Sequence, residues 1–327
     1  MGIEVLSILL LVAMFVIATI QPINMGALAF GCTFLLGSLI IGMRANDIFA
    51  GFPSDLFLML VAVTYLFAIA QINGTIDWII ECAVQLVRGH VVWIPWVMFV
   101  VAAIITGFGA LGPAAVAILA PVALSFAVQY RIHPVMMGLM VIHGAQAGGF
   151  SPISVYGGIT NQIVVKAGLA FAPTSLFLSS FLFNLAIAAM VFFVFGGAQV
   201  MKQKPAATGP LPELHPEGVS ASIRGHGGTR AKPIREHSYG TAADTAQTLR
   251  LTPEKIFTLI GLTAHGIGAL VFKFNVGLVA ITVAVALALI SPNTQKAAID
   301  EVSWSTVLLI AGIITYVGVM EKAGTVD

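Results

Sequence analysis

Apolar runs recur along this chain at the length of a bilayer-spanning helix, and no other feature restricts its fold so sharply. Candidate spans fall at 3–20, 25–43, 56–72, 134–168, 173–197, 255–271, 275–291 and 303–320. A helix needs ~20 apolar residues to cross the hydrocarbon core, where each backbone polar group must find its partner within the segment. Of the 327 residues, 58% are hydrophobic and 9% charged, against roughly 25% charged in a soluble domain. So few charges cannot clothe a water-exposed surface, and most of the outer face must meet lipid. The chain reads as an all-α polytopic membrane protein with the bilayer as its first partner. A net charge of +1 gives no basic face for nucleic acid, and no nucleic-acid partner is expected.

The opening run MGIEVLSILLLVAMFVIATI has Glu4 as its only early charge. A secretory signal starts on positive charge and closes on small residues, so this reads as a retained first helix. Cys32 and Cys82 sit in or beside apolar stretches without metal-ligand spacing, and read as packing residues.

Two places break the pattern of simple spans. In 91–130, GFGALGP interrupts an apolar run too long for one crossing. The glycines and Pro113 favour a reversal, so the segment reads first as a re-entrant hairpin of two short arms with its tip at membrane depth, and second as two full helices joined by a tight turn. In 134–168, a helix runs into GAQAGGFSPISVYGG. Gly148 and Gly149 weaken helix there, and Pro152 removes a donor and clashes with the preceding turn. This reads as a discontinuous helix with an unwound centre. Such backbone is tolerated at membrane depth where protein buries it or it lines a watery cavity.

Residues 198–254 are rich in Pro, Gly, Thr and Ala, and carry Lys202, Lys204, Arg224, Arg230, Lys232 and Arg235. They read as a flexible linker. His215, His226 and His237 lie in it at a spacing of eleven; solvated loop histidines are the expected reading, and no metal site is assigned. Counting crossings, Arg88, Arg131, the basic linker and Lys296 fall on one face, with Arg44, Lys166, Lys273 and Lys322 on the other. The positive-inside rule then makes the linker cytoplasmic, the N-terminus external, and the cytoplasmic (inner) membrane the expected location.

The two ends of the chain resemble each other. Asn24-Met25-Gly26 matches Asn275-Val276-Gly277, Thr64-Tyr65 matches Thr315-Tyr316, and Gly74-Thr75-Ile76-Asp77 matches Gly324-Thr325-Val326-Asp327, at offsets of 251, 251 and 250. Five crossings separate the copies, so the second is inverted. Inverted repeats with broken helices point to a secondary transporter with its site near the midplane. The expected organisation is a first transmembrane repeat over 1–197, a flexible cytoplasmic linker over 198–254, and the start of an inverted second repeat over 255–327. That second repeat reads as truncated before its own hairpin, so a longer carrier, or a half supplied from elsewhere, is expected to complete the site.

The hairpin GFGALGPAAVAILAPVAL, the break GAQAGGFSPISVYGGITNQ and the three-helix scaffold resemble the N-terminal portion of the MatC-type malonate/dicarboxylate carriers. That family is related to the divalent anion/sodium symporters of a broader ion-transporter superfamily. The resemblance implies cation-coupled transport of a small malonate-like or C4 dicarboxylate and no enzymatic activity. In the superfamily, hairpin tips and unwound helices carry Ser-Asn-Thr and Pro-rich motifs that hold carboxylate and sodium. Here Gly107, Gly109, Gly112 and Pro113 replace Ser-Asn-Thr, which leaves Na⁺ and H⁺ both open as the coupling ion; no other cofactor is expected, and a homodimer is an allowed assembly.

Between Glu81 and Glu213 there is no Asp or Glu, although both breaks lie in that stretch. A cation pathway would place a carboxylate there; its absence suits an anionic solute. The donors on offer are half-helix N-termini, each carrying about half a positive charge, with Ser151, Ser154, Thr160 and Asn161. Pro113 stands where a helix restarts, and Gly148 and Gly149 permit close approach of a ligand to backbone. The candidate substrate-binding residues are therefore Gly109, Gly112 and Pro113 at the tip, with Gly148, Gly149, Ser151, Pro152, Ser154 and Asn161 at the break. The same glycines also suit plain helix packing in a membrane. His143 reads first as a histidine hydrogen-bonded to a neighbouring helix, and second as a proton carrier or substrate donor; His265 reads as a packed histidine.

Importing a dianion against 100 mV costs about 4.6 kcal/mol, so uptake needs two accompanying cations for neutrality. Other readings are a cation/proton antiporter or citrate carrier on the same scaffold, a non-transporting membrane protein, and an intramembrane protease using Ser151 with His143. The last is disfavoured: eight residues on one broken helix place Ser151 and His143 poorly for the hydrogen bond that nucleophile activation needs, and GFSP is not the G-x-S-x-G elbow.

Overall fold

The computed structural model describes residues 2–86, 90–201 and 250–325. Arg88, the basic linker run from Lys202 to Arg235, its three histidines and the final Val326-Asp327 of the second Gly-Thr-x-Asp motif lie outside the described residues.

The described residues form helices and no strand. In order these are α1 (Ile3–Ile20), α2 (Met25–Thr33), α3 (Ala45–Phe49), α4 (Ser54–Ile72), α5 (Thr75–Leu86), α6 (Ile94–Gly107), α7 (Gly112–Gln129), α8 (Pro134–Gly149), α9 (Val155–Lys166), α10 (Pro173–Val194) and α11 (Gly197–Met201). After the linker come α12 (Pro253–Leu270), α13 (Val276–Ile290), α14 (Gln295–Asp300) and α15 (Trp304–Lys322). Five of these, α1, α4, α7, α10 and α15, are long and apolar enough to cross a bilayer, and a sixth span is added if α13 and the bent segment after it count as one. The helices also keep large apolar side chains on their outer surfaces, among them Val12 and Phe15 on α1 and Leu182, Phe183 and Phe193 on α10. Such continuous apolar exposure suits lipid, not water. The protein is multi-pass.

The chain divides into two compact units, one of residues 1–69 with 263–327 and the other of residues 70–262. In the first, Met14, Ala29, Leu36, Ile48, Tyr316, Val319 and Met320 form a buried apolar cluster. The Tyr316 hydroxyl donates to the Ser7 carbonyl at 2.7 Å, which satisfies the one polar atom that this buried ring brings with it. Asn24 caps α2 by accepting from the Gly26 and Ala27 N–H groups, and Asn275 caps α13 by accepting from Leu278 N–H. Two residues after each cap stands a glycine that lets two backbones touch. A Cβ on Gly26 would lie 1.9 Å from the Leu308 carbonyl oxygen of α15, and one on Gly277 would lie 2.9 Å from the Met59 nitrogen of α4.

Three features depart from the simple span pattern. Residues 25–43 read as one helix, whereas α2 passes into a π-helical stretch over Phe34–Ile40. The amphipathic α5, 12 residues long and carrying Asp77 and Glu81, is too short for a span and is helical all the same. After α13 the chain bends by 112° into Pro292–Asp300, where Pro292 opens a short 3₁₀ turn.

The second unit holds both anticipated breaks. α6 has 14 residues and α7 has 18; at 1.5 Å per residue these span about 21 and 27 Å, so α6 falls short of a full crossing of the ~30 Å hydrocarbon core while α7 approaches one. The helix over 134–168 is interrupted as expected, with α8 ending at Gly149 and α9 restarting at Val155.

Candidate functional site

The site is built on a very close helix pair. A Cβ on Gly144 would lie 2.3 Å from the Phe99 carbonyl oxygen, and one on Gly148 would lie 1.9 Å from that of Ala103. Both contacts advance by four residues, so α6 and α8 run parallel with their backbones in contact through a Gly-xxx-Gly face. The face of Gly148 is thus taken up by α6. At the top of this seam the Gly107 position comes within 3.8 Å of the Gly148 carbonyl. The hairpin tip and the helix break therefore sit beside each other.

The tip itself has a definite geometry. α6 ends with Ala110 N–H bonded to Ile105 O at 3.2 Å and Gly109 N–H to Thr106 O at 3.0 Å. That pair of bonds is the Schellman closure, and Gly109, at φ +125°, supplies the backbone conformation it requires. Leu111 then stands before α7 with no side-chain cap, and Gly112 and Pro113 open the helix. The first-turn N–H groups of α7 are left for whatever fills the space in front of them.

The break is ordered by Ser154. Its hydroxyl donates toward the Gly149 and Ser151 carbonyls and accepts from Gly157 N–H at 3.2 Å. It is the N-cap of α9, a place that favours serine because the side-chain oxygen answers an orphan N–H. A hydroxyl has a single proton, so that of Ser154 is already engaged. Ser151 differs. It is 7% exposed, its Oγ accepts a long 3.5 Å contact from Ile153 N–H, and its proton has no acceptor among the described residues. Pro152 is half-buried between the two serines.

One side chain joins tip to break. The Tyr156 ring lies 3.7 Å from a Cβ placed on Gly112 and 3.3 Å from one placed on Gly149. It pairs with Phe150 at 6.3 Å between centroids. Tyr156 stands in the first turn of α9, so the N-termini of α7 and α9 border the same ring. Sequence reasoning passes over this tyrosine; its signal is a phenol placed two residues after a helix-restarting serine. Gly157 packs on the break, where a Cβ would lie 2.0 Å from the Ser151 carbonyl oxygen. Asn161, four residues on, shares that face of α9. Asn161 is 8% exposed, and its side chain makes no hydrogen bond among the described residues.

The structure thus brings Gly109, Gly112, Gly148, Gly149, Ser151, Pro152 and Ser154 into one neighbourhood, with Asn161 on the helix face that meets it. Pro113 is exposed at the start of α7. His143 lies outside, half-buried, with Nδ1 2.9 Å from Asn184 Oδ1 of α10, as its first reading expects. No group of metal-ligating side chains occurs among the described residues.

A multi-pass helical protein with a hairpin tip against a broken helix has the elements of a membrane carrier. Residues 1–149 match the family described as "Dicarboxylate carrier protein MatC N-terminus". The match spans α1 to α8 and takes in the tip glycines and Gly149, while Ser151, Pro152, Ser154 and Asn161 lie beyond it. No curated protein matches the chain.

Proposed function

We propose that this protein is a cation-coupled secondary transporter of a small dicarboxylate, of the malonate or C4 kind, in the cytoplasmic membrane. The observation that carries the reading is the meeting of two helix N-termini at Tyr156, in a stretch without one acidic residue between Glu81 and Glu213. Each terminus presents unpaired N–H groups and about half a positive charge, a setting that favours a carboxylate. Gly112 keeps the first turn of α7 free of side-chain bulk where a carboxylate would meet backbone, and the Ser151 hydroxyl and Asn161 amide supply donors not otherwise used.

An inverted-repeat architecture belongs to the same reading. α12 starts and ends 250 residues after α1, as α15 does after α4. The cap-and-glycine pair of each copy packs on the last helix of the other, Gly26 against Leu308 and Gly277 against Met59. That exchange is what a pseudo-two-fold relation demands. The basic linker then faces the cytoplasm, and the hairpin enters from that side as a re-entrant element.

Ala114, exposed in the first turn of α7, gives the test. In the full-length protein with Cys32 and Cys82 replaced, a cysteine at Ala114 should react with a small methanethiosulfonate reagent. Malonate or succinate should slow that reaction severalfold and acetate should not. A rate indifferent to saturating dicarboxylate would remove the tip from the binding site.

A further inference from the structure

His143 is the one ionisable side chain on α6, α7, α8 and α10. Those helices, with α9, are the ones packed around α8. α9 adds Tyr156 in its first turn and Lys166 in its last, the latter exposed. No carboxylate or second histidine faces the ring from any of these elements, so charge changes of this core fall to His143.

The neighbouring amide determines how the ring is held. Asn184 Nδ2 donates to the Ser180 carbonyl at 2.9 Å and lies 3.5 Å from the Ser180 hydroxyl. Its Oδ1 is thereby turned toward His143 Nδ1 at 2.9 Å, and an amide oxygen can only accept. The hydrogen therefore sits on Nδ1. The Ser180 hydroxyl also donates to the Gln146 carbonyl at 3.3 Å, so α10 grips α8 on the turn between the ring and the break. In this tautomer Nε2 keeps a free lone pair, and no partner for it exists among the described residues. Protonation at Nε2 leaves the Nδ1–H bond to Asn184 in place. The ring can gain and lose charge without losing its anchor.

We propose that His143 is the proton-coupling residue of this carrier, with Asn184 as the residue that positions it. The inference rests on the carrier reading above and adds the identity of its coupling ion. A proton from the outer solution binds Nε2, moves with the solute-loaded protein, and leaves from Nε2 to the inner solution, supplying one of the two cations that neutral uptake of a dianion needs. The N–H bond formed on one side is the bond broken on the other, and nothing is oxidised or reduced. Histidine suits the task because a ring nitrogen can take up and release a proton, and transmembrane proton carriers are otherwise carboxylates, which this stretch lacks.

The test uses the full-length protein in proteoliposomes with a trapped pH dye and labelled malonate. Wild type should acidify the lumen as malonate enters. His143→Gln should lose malonate-driven acidification and pH-driven accumulation by an order of magnitude or more. It should still exchange labelled for unlabelled malonate without a gradient, because exchange needs no net proton movement. Asn184→Leu, similar in size but unable to accept, should move the pH of half-maximal uptake. Acidification that survives in His143→Gln overturns the proposal, as does loss of exchange along with coupling, which would make His143 a solute-binding or structural residue. An Asn184→Leu pH profile identical to wild type overturns the positioning role. Sodium-driven uptake without acidification in wild type overturns proton coupling and leaves the carrier intact, whereas wild type that exchanges no dicarboxylate overturns the carrier reading itself.

Discussion

Gly148→Ala should cost the protein its folded second unit, although it adds a single methyl group. The new Cβ would stand 1.9 Å from the Ala103 carbonyl oxygen and 2.4 Å from Thr106 Oγ1. Thr106 is itself fixed, buried and bonded back to Ala102 O at 2.9 Å, and the Ala103 contact is backbone. Neither neighbour can swing aside, so α6 and α8 must separate along the seam that also carries Gly144. Overpacking a well-fitted core costs about 1–3 kcal/mol when side chains adjust, and a backbone collision lies at the upper end or beyond. The expected result is a large drop in melting temperature in detergent, or failure to purify as a monodisperse species. Gly138→Ala on the same helix is the control, since nothing lies within 4 Å of its Cβ position. There the gain in helix propensity of about 1 kcal/mol over glycine should leave stability equal or better. Equal melting of Gly148→Ala and Gly138→Ala would mean that α6 and α8 are not in backbone contact.

The two serines of the break should respond oppositely. Ser151 has a hydroxyl proton to give, and a hydrogen bond to a charged group is worth about 1.5–3 kcal/mol, so Ser151→Ala in the full-length carrier should weaken apparent affinity for dicarboxylate about ten- to a hundredfold. Stability should hold, because within the protein the Ser151 hydroxyl takes part only in the long acceptance from Ile153 N–H. Ser154 is already engaged as the α9 cap. Ser154→Ala removes a cap worth about 1 kcal/mol and should lower the melting temperature by a few degrees, with affinity following only as the break loosens. Concentration dependence of uptake alongside thermal melting separates the two. An unchanged affinity in Ser151→Ala would make that serine part of the packing and remove it from the site.

The contrast between these residues shows what was legible in the sequence. The spans were readable from apolar run length because lipid imposes that length, and α1, α4 and α10 lie where their runs lie. Both breaks were readable because Gly and Pro act on the backbone locally: GFGALGP gives the turn between α6 and α7, and GGFSP gives the gap between α8 and α9. The division of labour among the break residues was not readable. Gly148 and Gly149 are adjacent and chemically the same, yet a helix places them about 100° apart, and only tertiary packing decides that Gly148 meets Ala103 while Gly149 meets Tyr156. Ser151 and Ser154 differ in the same way, through which of them the restarting helix takes as its cap. The tyrosine between tip and break is not readable in the sequence, because nothing local distinguishes it from any other aromatic in an apolar chain. α5 is illegible for the opposite reason, since 12 residues that include Asp77 and Glu81 make no apolar run of spanning length.

In the proposed function, small dicarboxylates cross through the tip–break site. Labelled malonate and succinate uptake by the full-length protein in proteoliposomes, under imposed H⁺ and Na⁺ gradients, tests it most directly. The expected result is saturable accumulation that needs one of the two gradients, is competed by unlabelled dicarboxylates, and is indifferent to acetate and to organic cations. Folded, correctly inserted protein that accumulates neither acid under either gradient, or that exchanges cations with no anion present, would contradict it.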